Sequence, residues 1–353
     1  MNYINKFLDN PDIFNSNNKN QQLLFKQALR DLTNYHKKNC LEYSNFVKKI
    51  NFKTKNINKF YSLPFLPVQI FKLRKLISVK EKQIFKTLSS SGTSSGKKSK
   101  IYLDKTNSEN QVKVLNKILS QKFGKQRRPM LFIEKDPTQS NKKKFSASLA
   151  ALYGFSILAS KQYYLLNQDG EINYDILRKF MENFSNEKFY IFGFTASVYE
   201  NFYKKIQNYN FDFRNATLIH GGGWKKLENK GVSNNIFKRK IKKKLNISRV
   251  YNYYGLIEQT GSIFFECDNG YFVSSIFSDV IVRDKNFNVL PDNQKGLIQL
   301  MSVLPTSYPG HNIITEDIGK IIRIKCKCGL NSTHFKIYGR AKEAEIRGCS
   351  DAR

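Results

Sequence analysis

The sequence predicts an α/β fold in which helices cover a parallel sheet and a smaller β-rich part follows. Between residues 101 and 260, short apolar runs bounded by turn residues alternate with segments of helical periodicity. Strand, helix and strand repeated in this order are typical of parallel sheets covered by helices. The predicted strands are 130–133, 189–192, 217–219 and 249–253, and the predicted helices are 109–122, 174–184, 196–207 and 235–245.

The chain on either side of this region has a different character. Residues 20–50 are predicted to be helical because apolar side chains such as Phe25, Leu29 and Leu32 recur at three- and four-residue spacing. Two prolines indicate an extended stretch over 61–68. After residue 260 helical patterns nearly vanish, and a mixed or barrel-like β subdomain is expected from the β-like stretches 280–282, 296–301 and 321–324.

The composition excludes a disordered polycation and leaves a nucleic-acid partner as an alternative. The 353 residues include 60 Lys and Arg against 28 Asp and Glu, a formal net charge of +32, yet 40% are hydrophobic and 14% are aromatic. This apolar content is sufficient for a sizeable core. Because the basic residues are spread along the chain instead of forming one stripe, we favour a general compositional drift over nucleic-acid binding.

Cysteine usage and hydropathy predict a cytoplasmic protein that does not span a membrane. Five cysteines, three of them near the end of the sequence, suit thiol or metal chemistry better than a disulfide framework. The first residues lack the apolar core of a secretory signal. The most apolar window, 147–159, is shorter than the roughly 20 residues that a bilayer requires.

The first motif with chemical meaning is a loop rich in serine, glycine and lysine. Small residues let backbone amides approach an anion, while hydroxyls and lysines add hydrogen bonds and charge, so a nucleotide polyphosphate is the expected ligand. The spacing differs from that of a Walker A loop, and a flexible linker between domains is the alternative. The motif reads Ser89-Ser90-Ser91-Gly92-Thr93-Ser94-Ser95-Gly96-Lys97-Lys98-Ser99-Lys100.

Two further motifs follow predicted strands. The run Tyr251-Asn252-Tyr253-Tyr254-Gly255-Leu256-Ile257-Glu258-Gln259-Thr260-Gly261 combines an aromatic ring for base stacking, a glycine turn and a carboxylate able to hold a metal. The run His220-Gly221-Gly222-Gly223-Trp224 leaves bare backbone that suits a flat ligand. A buried aromatic strand with a polar turn would explain the first run without a ligand, and a tight strand-to-helix turn would explain the second.

Along the chain the serine-rich loop comes first, the glycine-rich turn second and the Tyr-Gly-x-x-Glu run third. In this order the three motifs resemble those of the adenylate-forming superfamily, whose members convert a carboxylate and ATP into an acyl-adenylate. Thr315-Glu316-Asp317 and Tyr338-Gly339-Arg340-Ala341-Lys342-Glu343 are similar to two later motifs of that superfamily. Within it, these motifs and the final Arg347-Gly348-Cys349-Ser350 are similar to the acyl-protein synthetases of the bacterial luminescence fatty acid reductase. The resemblance extends in blocks over about residues 89–350.

The resemblance implies a role for each matching residue. Gly222 and Gly223 would flank the adenine of ATP, and Tyr254, followed by Gly255, would stack on it. Glu258 would bind Mg²⁺, while Asp317 and Arg340 would hold the ribose. Either Lys98 or Lys100 would be the cation at the phosphates, which would lie against the loop residues Ser90, Ser91, Gly92, Thr93, Ser94 and Gly96.

Two departures from the superfamily pattern are visible. Ile257 stands where a hydroxyl residue usually contacts the α-phosphate, and Thr260 or a hydroxyl of the serine-rich loop would take that role. Little sequence follows Arg340, so the C-terminal lid domain of the superfamily is expected to be absent or vestigial. The resemblance to acyl-protein synthetases then implies that Cys349 receives the acyl group, with an incidental tail thiol as the alternative.

The other cysteines near the end of the sequence suggest a metal site. Cys326-Lys327-Cys328-Gly329 resembles a turn of phenylacetate ligase-like members that binds zinc together with an upstream cysteine, here Cys267. His334 is the candidate fourth ligand of a structural Zn²⁺. A metal-free β-turn is the alternative.

The expected function is therefore that of an ATP- and Mg²⁺-dependent ligase. It would adenylate a carboxylic acid, with a fatty acid as the expected class, and pass the acyl group to Cys349 or to an acceptor protein such as a reductase or an acyl carrier protein. A phenylacetate-type CoA ligase and, from another class, a basic nucleic-acid-binding or scaffold protein are the alternatives. The expected division is a helical part (1–88), a nucleotide-binding core (89–258), a β-rich subdomain (259–336) and a vestigial hinge with the tail (337–353).

Overall fold

A computed structural model describes residues 3–52, 60–90, 98–139, 147–207, 211–222, 227, 231–323 and 326–341. The chain forms two compact units. One contains the chain up to Ser90, a segment ending at Phe123 and the described residues from Tyr254 on, and the other contains Gly124–Tyr253. The four-part division in chain order stays a prediction.

The first unit begins with helices. The helix predicted over 20–50 is two helices, because the backbone of Cys40 adopts an extended conformation between them. The side chain of Asn18 caps the longer one by accepting from the N–H groups of Asn20 and Gln21. The elements up to residue 123 are α1 Ile4–Leu8, α2 Lys19–Asn39, α3 Leu41–Lys49, β1 Leu66–Pro67, α4 Ile70–Leu73, β2 Ile84–Ser89, β3 Lys100–Asp104 and α5 Lys105–Phe123.

The second unit is a five-stranded parallel sheet with helices between its strands. Its elements are β4 Arg128–Lys135, α6 Ala147–Phe155, β5 Ala159–Leu166, α7 Tyr174–Phe184, β6 Phe189–Phe194, α8 Thr195–Ser197 continued by a π-helix over Val198–Tyr203, β7 Ala216–Gly221, α9 Asn234–Leu245 and β8 Arg249–Gly255. The strand order is β5-β4-β6-β7-β8, and every pairing is parallel.

The core of this unit follows from the sequence pattern. Every residue of β6 and β7 is buried, as expected of central strands in a sheet covered on both faces. On α7, Leu177, Phe180 and Phe184 recur at helical spacing and are all buried. Asn173 accepts from the N–H groups at the start of this helix, so its amide oxygen satisfies donors that the helix itself cannot.

The rest of the first unit is an antiparallel sheet. Its strands are β9 Ile263–Glu266, β10 Phe272–Val273, β11 Ser278–Arg283, β12 Gly296–Ser302, β13 Asn312–Ile321 and β14 His334–Arg340. They pair in the order β11-β12-β13-β14-β10-β9, and β1 pairs in parallel with β13. A separate two-stranded sheet joins β2 to β3.

The predicted α/β class, with a parallel sheet and a β-rich part, is confirmed. The strand predicted over 321–324 is wrong, because Ile321 is the last residue of β13 and Ile322 lies outside it. The polar run Thr315-Glu316-Asp317 lies in the middle of that strand and conceals the apolar pattern by which strands are recognised. The sequence pattern predicts neither α6 nor β5, because residues 147–155 are apolar almost throughout and β5 contains the polar run Ser160-Lys161-Gln162. Among the described helices, none is sufficiently long and apolar to cross a bilayer.

A cavity of about 220 Å³ lies in the first unit beside α2 and β11. Aromatic and aliphatic side chains line most of it, including Phe25, Phe60 and Ile281, while Lys26 and Asp279 add opposite charges. Burial raises the pKa of the Asp279 carboxyl from 3.8 to about 6, although hydrogen bonds from Val280 and Thr333 and the charge of Lys26 oppose this.

We expect the Asp279→Asn variant to be more stable than the wild type at pH 7. Because the folded pKa lies above the unfolded one, the folded state keeps a proton that the unfolded state has lost. Stability should therefore fall as pH rises from about 4 to about 6. The variant should lack this slope and gain roughly 2 kcal/mol at pH 7 in urea unfolding. The exposed Asp9→Asn control should keep the wild-type slope, and a wild-type slope in Asp279→Asn would refute the assignment.

Candidate active site

Three of the residues predicted to bind the nucleotide lie together in the first unit. Asp317 on β13 stands opposite Arg340 on β14 in the antiparallel register. The hydroxyl of Tyr254 donates a hydrogen bond of 2.6 Å to Asp317 Oδ2. Arg340 Nε lies 3.7 Å from Asp317 Oδ1, and the same guanidinium pairs with Glu316. One carboxylate is thus contacted from two sides by a donor and a cation.

Burial dominates the electrostatics of this cluster. It raises the pKa of Asp317, while the hydrogen bond from Tyr254 and the charge of Arg340 lower it and the carboxylates of Glu316 and Glu258 raise it. Burial also raises the pKa of the Tyr254 hydroxyl well above its usual value, with Asp317 adding to the effect. Tyr254 therefore keeps its proton at neutral pH and remains a hydrogen-bond donor.

The ring of Tyr254 is fixed by aromatic neighbours. Phe264 lies 6.2 Å from it in a stacked arrangement, Phe272 lies at 5.8 Å in a tilted one, and Phe335 contacts it edge-on at 6.2 Å. These phenylalanines come from β9, β10 and β14, three neighbouring strands of the antiparallel sheet. The sheet therefore sets the orientation of the ring that is predicted to stack on adenine, and that role stays a prediction.

Glu258 lies in a buried turn between β8 and β9, and its side chain is only 2% exposed. Its neighbour Gln259 donates to the carbonyls of Leu300 and Gly310 at 3.1 and 2.7 Å. Thr260 Oγ1 lies 3.4 Å from the amide of Asn107 and 3.5 Å from the Tyr308 hydroxyl. Thr260 would have to exchange these partners to contact a phosphate. The Glu258 carboxylate supplies the hard oxygen donors that Mg²⁺ prefers.

The serine-rich loop joins β2 to β3, and two hydrogen bonds connect the residues at its base. Ser90 and Ser99 face each other: the Ser90 N–H donates to the Ser99 carbonyl, and the Ser99 N–H donates to Ser90 Oγ, both at 3.0 Å. Lys98 and Lys100 are exposed beside this pair. The predicted phosphate-binding residues Ser91, Gly92, Thr93, Ser94 and Gly96 lie outside the described residues, as do Gly223 and Cys349.

The glycine-rich turn lies in the second unit, directly after β7. A Cβ on Gly221 would come within 2.4 Å of the Tyr253 ring, so packing against β8 requires a glycine there. Gly222 has a φ of +65°, a left-handed conformation that favours glycine. His220 is fully buried, with Nδ1 3.0 Å from Thr195 Oγ1. Local packing and backbone conformation therefore account for the glycines at positions 221 and 222. Contact of Gly222 with adenine stays a prediction.

The predicted metal ligands meet in the first unit, although more than sixty residues of sequence separate the first from the last. The sulfurs of Cys267 and Cys326 are 3.8 Å apart, and Cys328 Sγ lies 3.2 Å from His334 Nε2. All four candidate ligand atoms lie within 4.8 Å of one another. Tetrahedral Zn²⁺ with Zn–S bonds of about 2.3 Å places two sulfurs about 3.8 Å apart, so the spacing fits this metal.

The backbone around the four residues holds their side chains in place. Cys267 directly follows β9, and its N–H donates to the Tyr271 carbonyl at 2.7 Å. His334 Nδ1 lies 2.8 Å from the Ser332 carbonyl, so this nitrogen carries the proton and leaves Nε2 as the available ligand. Cys326 and Cys328 lie in the turn before β14, and Cys267 lies just after the end of β9. Their three thiols are thus close to the Nε2 atom of His334.

Two histidines to which the sequence assigns no role lie together. The rings of His36 on α2 and His311, directly before β13, stack at 5.0 Å, and both are fully buried. His311 Nε2 lies 3.0 Å from Thr33 Oγ1. Burial lowers the pKa of His36 to about 3, so it is uncharged near neutral pH. The only signal in the sequence was that α2 places His36 on its apolar side, three residues after Thr33.

Comparison with known proteins identifies the family and the fold of this chain. Residues 3–353 match the model of a family described as "Acyl-protein synthetase, LuxE". No curated protein matches the chain. An open conformation of 2-hydroxyisobutyryl-CoA ligase, solved with 2-HIB-AMP and CoA, is similar in structure with a TM-score of 0.70 and 14% identity over 91% of this chain and 75% of that one.

The same ligase in the postadenylation state, in complex with 2-HIB-AMP, gives a TM-score of 0.67 and 12% identity over 92% of this chain and 70% of that one. At such identities the likeness shows the fold alone, whereas the family model extends over nearly the whole chain. The chain therefore belongs to the acyl-protein synthetase family and has the α/β fold of an adenylate-forming ligase.

Proposed function

We propose that this chain uses ATP to adenylate a carboxylic acid, with a fatty acid as the expected class, and then transfers the acyl group to a thiol. The observation that carries the proposal is the half-buried cluster of Tyr254, Asp317 and Arg340, in which the charge of Glu258 acts on the Asp317 carboxylate. A carboxylate that accepts hydrogen bonds next to a second carboxylate suits a ribose and a metal-bound phosphate. Membership of the acyl-protein synthetase family supports the same proposed activity.

In the first half-reaction the residues would act on the nucleotide. Asp317 would accept hydrogen bonds from the ribose hydroxyls, and Arg340 would hold that carboxylate in its ionised form against the effect of burial. An oxygen of the substrate carboxylate would attack the α-phosphorus, and the bond from that phosphorus to pyrophosphate would break. Mg²⁺ held by Glu258 would neutralise the charge that develops on the phosphates.

In the second half-reaction a thiolate would attack the acyl carbon of the adenylate. The carbon–oxygen bond to phosphate would break, AMP would leave with both electrons of that bond, and a thioester would form. Cys349 is the proposed nucleophile on the basis of the family resemblance. Its neighbours Arg347 and Arg353 would favour the ionised thiol through their positive charge.

A structural zinc ion would complete the cluster formed by Cys267, Cys326, Cys328 and His334. The distances between the ligand atoms support this proposal. Such an ion would link the end of β9 to the connection between β13 and β14, and it would contribute to folding directly because the unfolded chain has no preformed site.

The Glu258→Gln variant should lose adenylation. Removing the carboxylate charge should lower carboxylate-dependent exchange of labelled pyrophosphate into ATP by roughly 100-fold, as expected for loss of a charge that stabilises the transition state. The exposed Glu42→Gln variant is the matched control and should retain full exchange. Exchange within a factor of two of wild type in Glu258→Gln, with normal thermal unfolding, would refute the metal role of Glu258.

The Cys326→Ser variant should lose zinc. Metal analysis of wild-type protein, purified without chelators, should find about one zinc per chain, and the variant should lose it together with several degrees of melting temperature. Cys40→Ser is the control, because Cys40 is a buried cysteine of the same unit that lies outside the cluster. A wild-type protein that contains no zinc would remove the site from the proposal.

The Cys349→Ser variant should separate the two half-reactions. Adenylation needs no thiol, so pyrophosphate exchange should persist at the wild-type rate. With radiolabelled fatty acid and ATP, a hydroxylamine-sensitive label should remain on the wild-type chain and be reduced at least tenfold on the variant, since a serine hydroxyl is hardly ionised near neutral pH.

Two other outcomes of this experiment are informative. Equal labelling of both proteins would show that another cysteine accepts the acyl group. No label on either protein, together with rapid formation of a CoA thioester when CoA is added, would favour a CoA ligase of the phenylacetate type.

A separate gel-retardation measurement tests the nucleic-acid alternative. Steeply salt-dependent binding to DNA without any pyrophosphate exchange would support it.

A further inference from the structure

The connection between β12 and β13 holds the turn that contains Glu258. The hydroxyl of Tyr308 accepts a hydrogen bond of 2.9 Å from the backbone N–H of Thr260. The Gly310 carbonyl accepts from the side-chain amide of Gln259 at 2.7 Å. On the other side of the turn, Ser302 Oγ donates to the Thr260 carbonyl at 2.7 Å. Three hydrogen bonds therefore fix the two residues that follow Glu258: two come from the connection, and one comes from Ser302, the last residue of β12.

The packing at Gly310 brings this connection against Glu258 itself. A Cβ added to Gly310 would lie 3.0 Å from the Glu258 carbonyl oxygen and 2.2 Å from the Tyr308 ring. Tyr308 is fully buried, and its ring contacts Phe71 edge-on at 6.0 Å. Gly310 therefore packs closely against both the Tyr308 ring and the backbone of Glu258.

The far side of the connection is attached to α2 by the two stacked histidines. His36 Nε2 lies 3.0 Å from the Pro305 carbonyl, and His36 Nδ1 lies 2.7 Å from Ser78 Oγ. His311 is bonded to Thr33 of the same helix. The connection is therefore held at both of its ends, before and after Tyr308, so the hydroxyl of Tyr308 has a fixed position relative to the turn.

We propose that Tyr308 is a positioning residue that fixes the Glu258 carboxylate for binding Mg²⁺. The inference rests on the proposed role of Glu258 in adenylation and adds how the turn that carries its carboxylate is held in place. A mobile turn would lose conformational entropy each time the metal bound, which would weaken binding. A turn that is already fixed in the folded protein loses little further entropy on binding. Removal of the Tyr308 hydroxyl leaves the buried N–H of Thr260 without this acceptor and should loosen the turn.

The Tyr308→Phe variant tests the inference, because it deletes the acceptor and keeps the ring. Pyrophosphate exchange would be measured as a function of free Mg²⁺ concentration at saturating ATP and acid. The rise in melting temperature that Mg²⁺ and ATP cause without acid would be measured in parallel and should be smaller in the variant than in the wild type. We expect the Mg²⁺ concentration for half-maximal exchange to rise roughly tenfold, since loss of one buried hydrogen bond has effects of this order. The KM for the acid, measured at saturating Mg²⁺, should stay within a factor of two.

The Tyr199→Phe variant is the matched control, because Tyr199 is a buried tyrosine of the second unit whose hydroxyl lies 2.7 Å from Lys240 Nζ. It should change the melting temperature without changing the Mg²⁺ requirement. If Tyr308→Phe does not fold, Ser302→Ala removes another of the three hydrogen bonds and should shift the Mg²⁺ requirement in the same direction.

An unchanged Mg²⁺ requirement in a folded Tyr308→Phe variant, or an equal shift in Tyr199→Phe, would overturn the positioning role. If Tyr308→Phe does not fold, an unchanged requirement in Ser302→Ala would do the same. Absence of exchange in the wild-type protein would instead overturn the proposed function, so the two failures are distinguishable.

Discussion

The antiparallel pairing of β13 with β14 is the constraint on which most of the described site depends. Its register places Asp317 opposite Arg340. The chain that connects the two strands contains Cys326 and Cys328, and His334 is the first residue of β14. At about 3.3 Å per residue, His334 and Arg340 lie about 20 Å apart along the strand. The cysteine cluster and the proposed nucleotide site thus occupy opposite ends of one strand.

A zinc ion bound by the cysteine cluster would have a structural role in this arrangement. A metal at one end of β14 would keep the connection closed and hold the register, and the same register sets the distance between Asp317 and Arg340 at the other end. Loss of the metal would then affect nucleotide binding through the strand, without any direct contact. Slippage by one residue would turn Arg340 to the other face of the sheet.

The site also shows how buried polar groups are retained in this fold. Burial raises the pKa of Asp317, and an isolated buried carboxylate would be costly. Around the Glu258 turn, Gln259, Asn107 and Ser302 each have hydrogen-bond partners, so the turn is buried with few unmet donors. Each such bond left unmade would cost about 1–3 kcal/mol. A dense hydrogen-bonded network therefore supports the carboxylates that the proposed chemistry requires.

The sequence predicted those parts of the fold that periodicity encodes locally. The helix expected over 174–184 is α7 with the same bounds, and the four predicted parallel strands lie within β4, β6, β7 and β8. It could not predict β13, whose polar centre conceals its pattern, or the pairing of His36 with His311, whose partners are distant in sequence.

The same difference between local patterns and contacts distant in sequence applies to the candidate site. The motifs identified Tyr254, Asp317, Arg340 and the four metal-site residues, which the structure brings into two clusters. Tyr308 belongs to no recognisable motif, and its contact with the Glu258 turn depends on how β12 and β13 are joined in space. Periodicity and local motifs carry no information about such contacts, so only the folded chain could identify it.

Oxygen transfer from the acid to AMP tests the proposed adenylation most directly. The substrate would be a fatty acid carrying ¹⁸O in both carboxylate oxygens, with hydroxylamine as acyl acceptor so that turnover does not depend on Cys349. If the carboxylate attacks the α-phosphorus, the bridging oxygen stays with phosphate when the acyl carbon is attacked. Mass spectrometry should then find one ¹⁸O in each AMP and none in pyrophosphate. Unlabelled AMP, or ADP with ¹⁸O in inorganic phosphate, would contradict an acyl-adenylate intermediate.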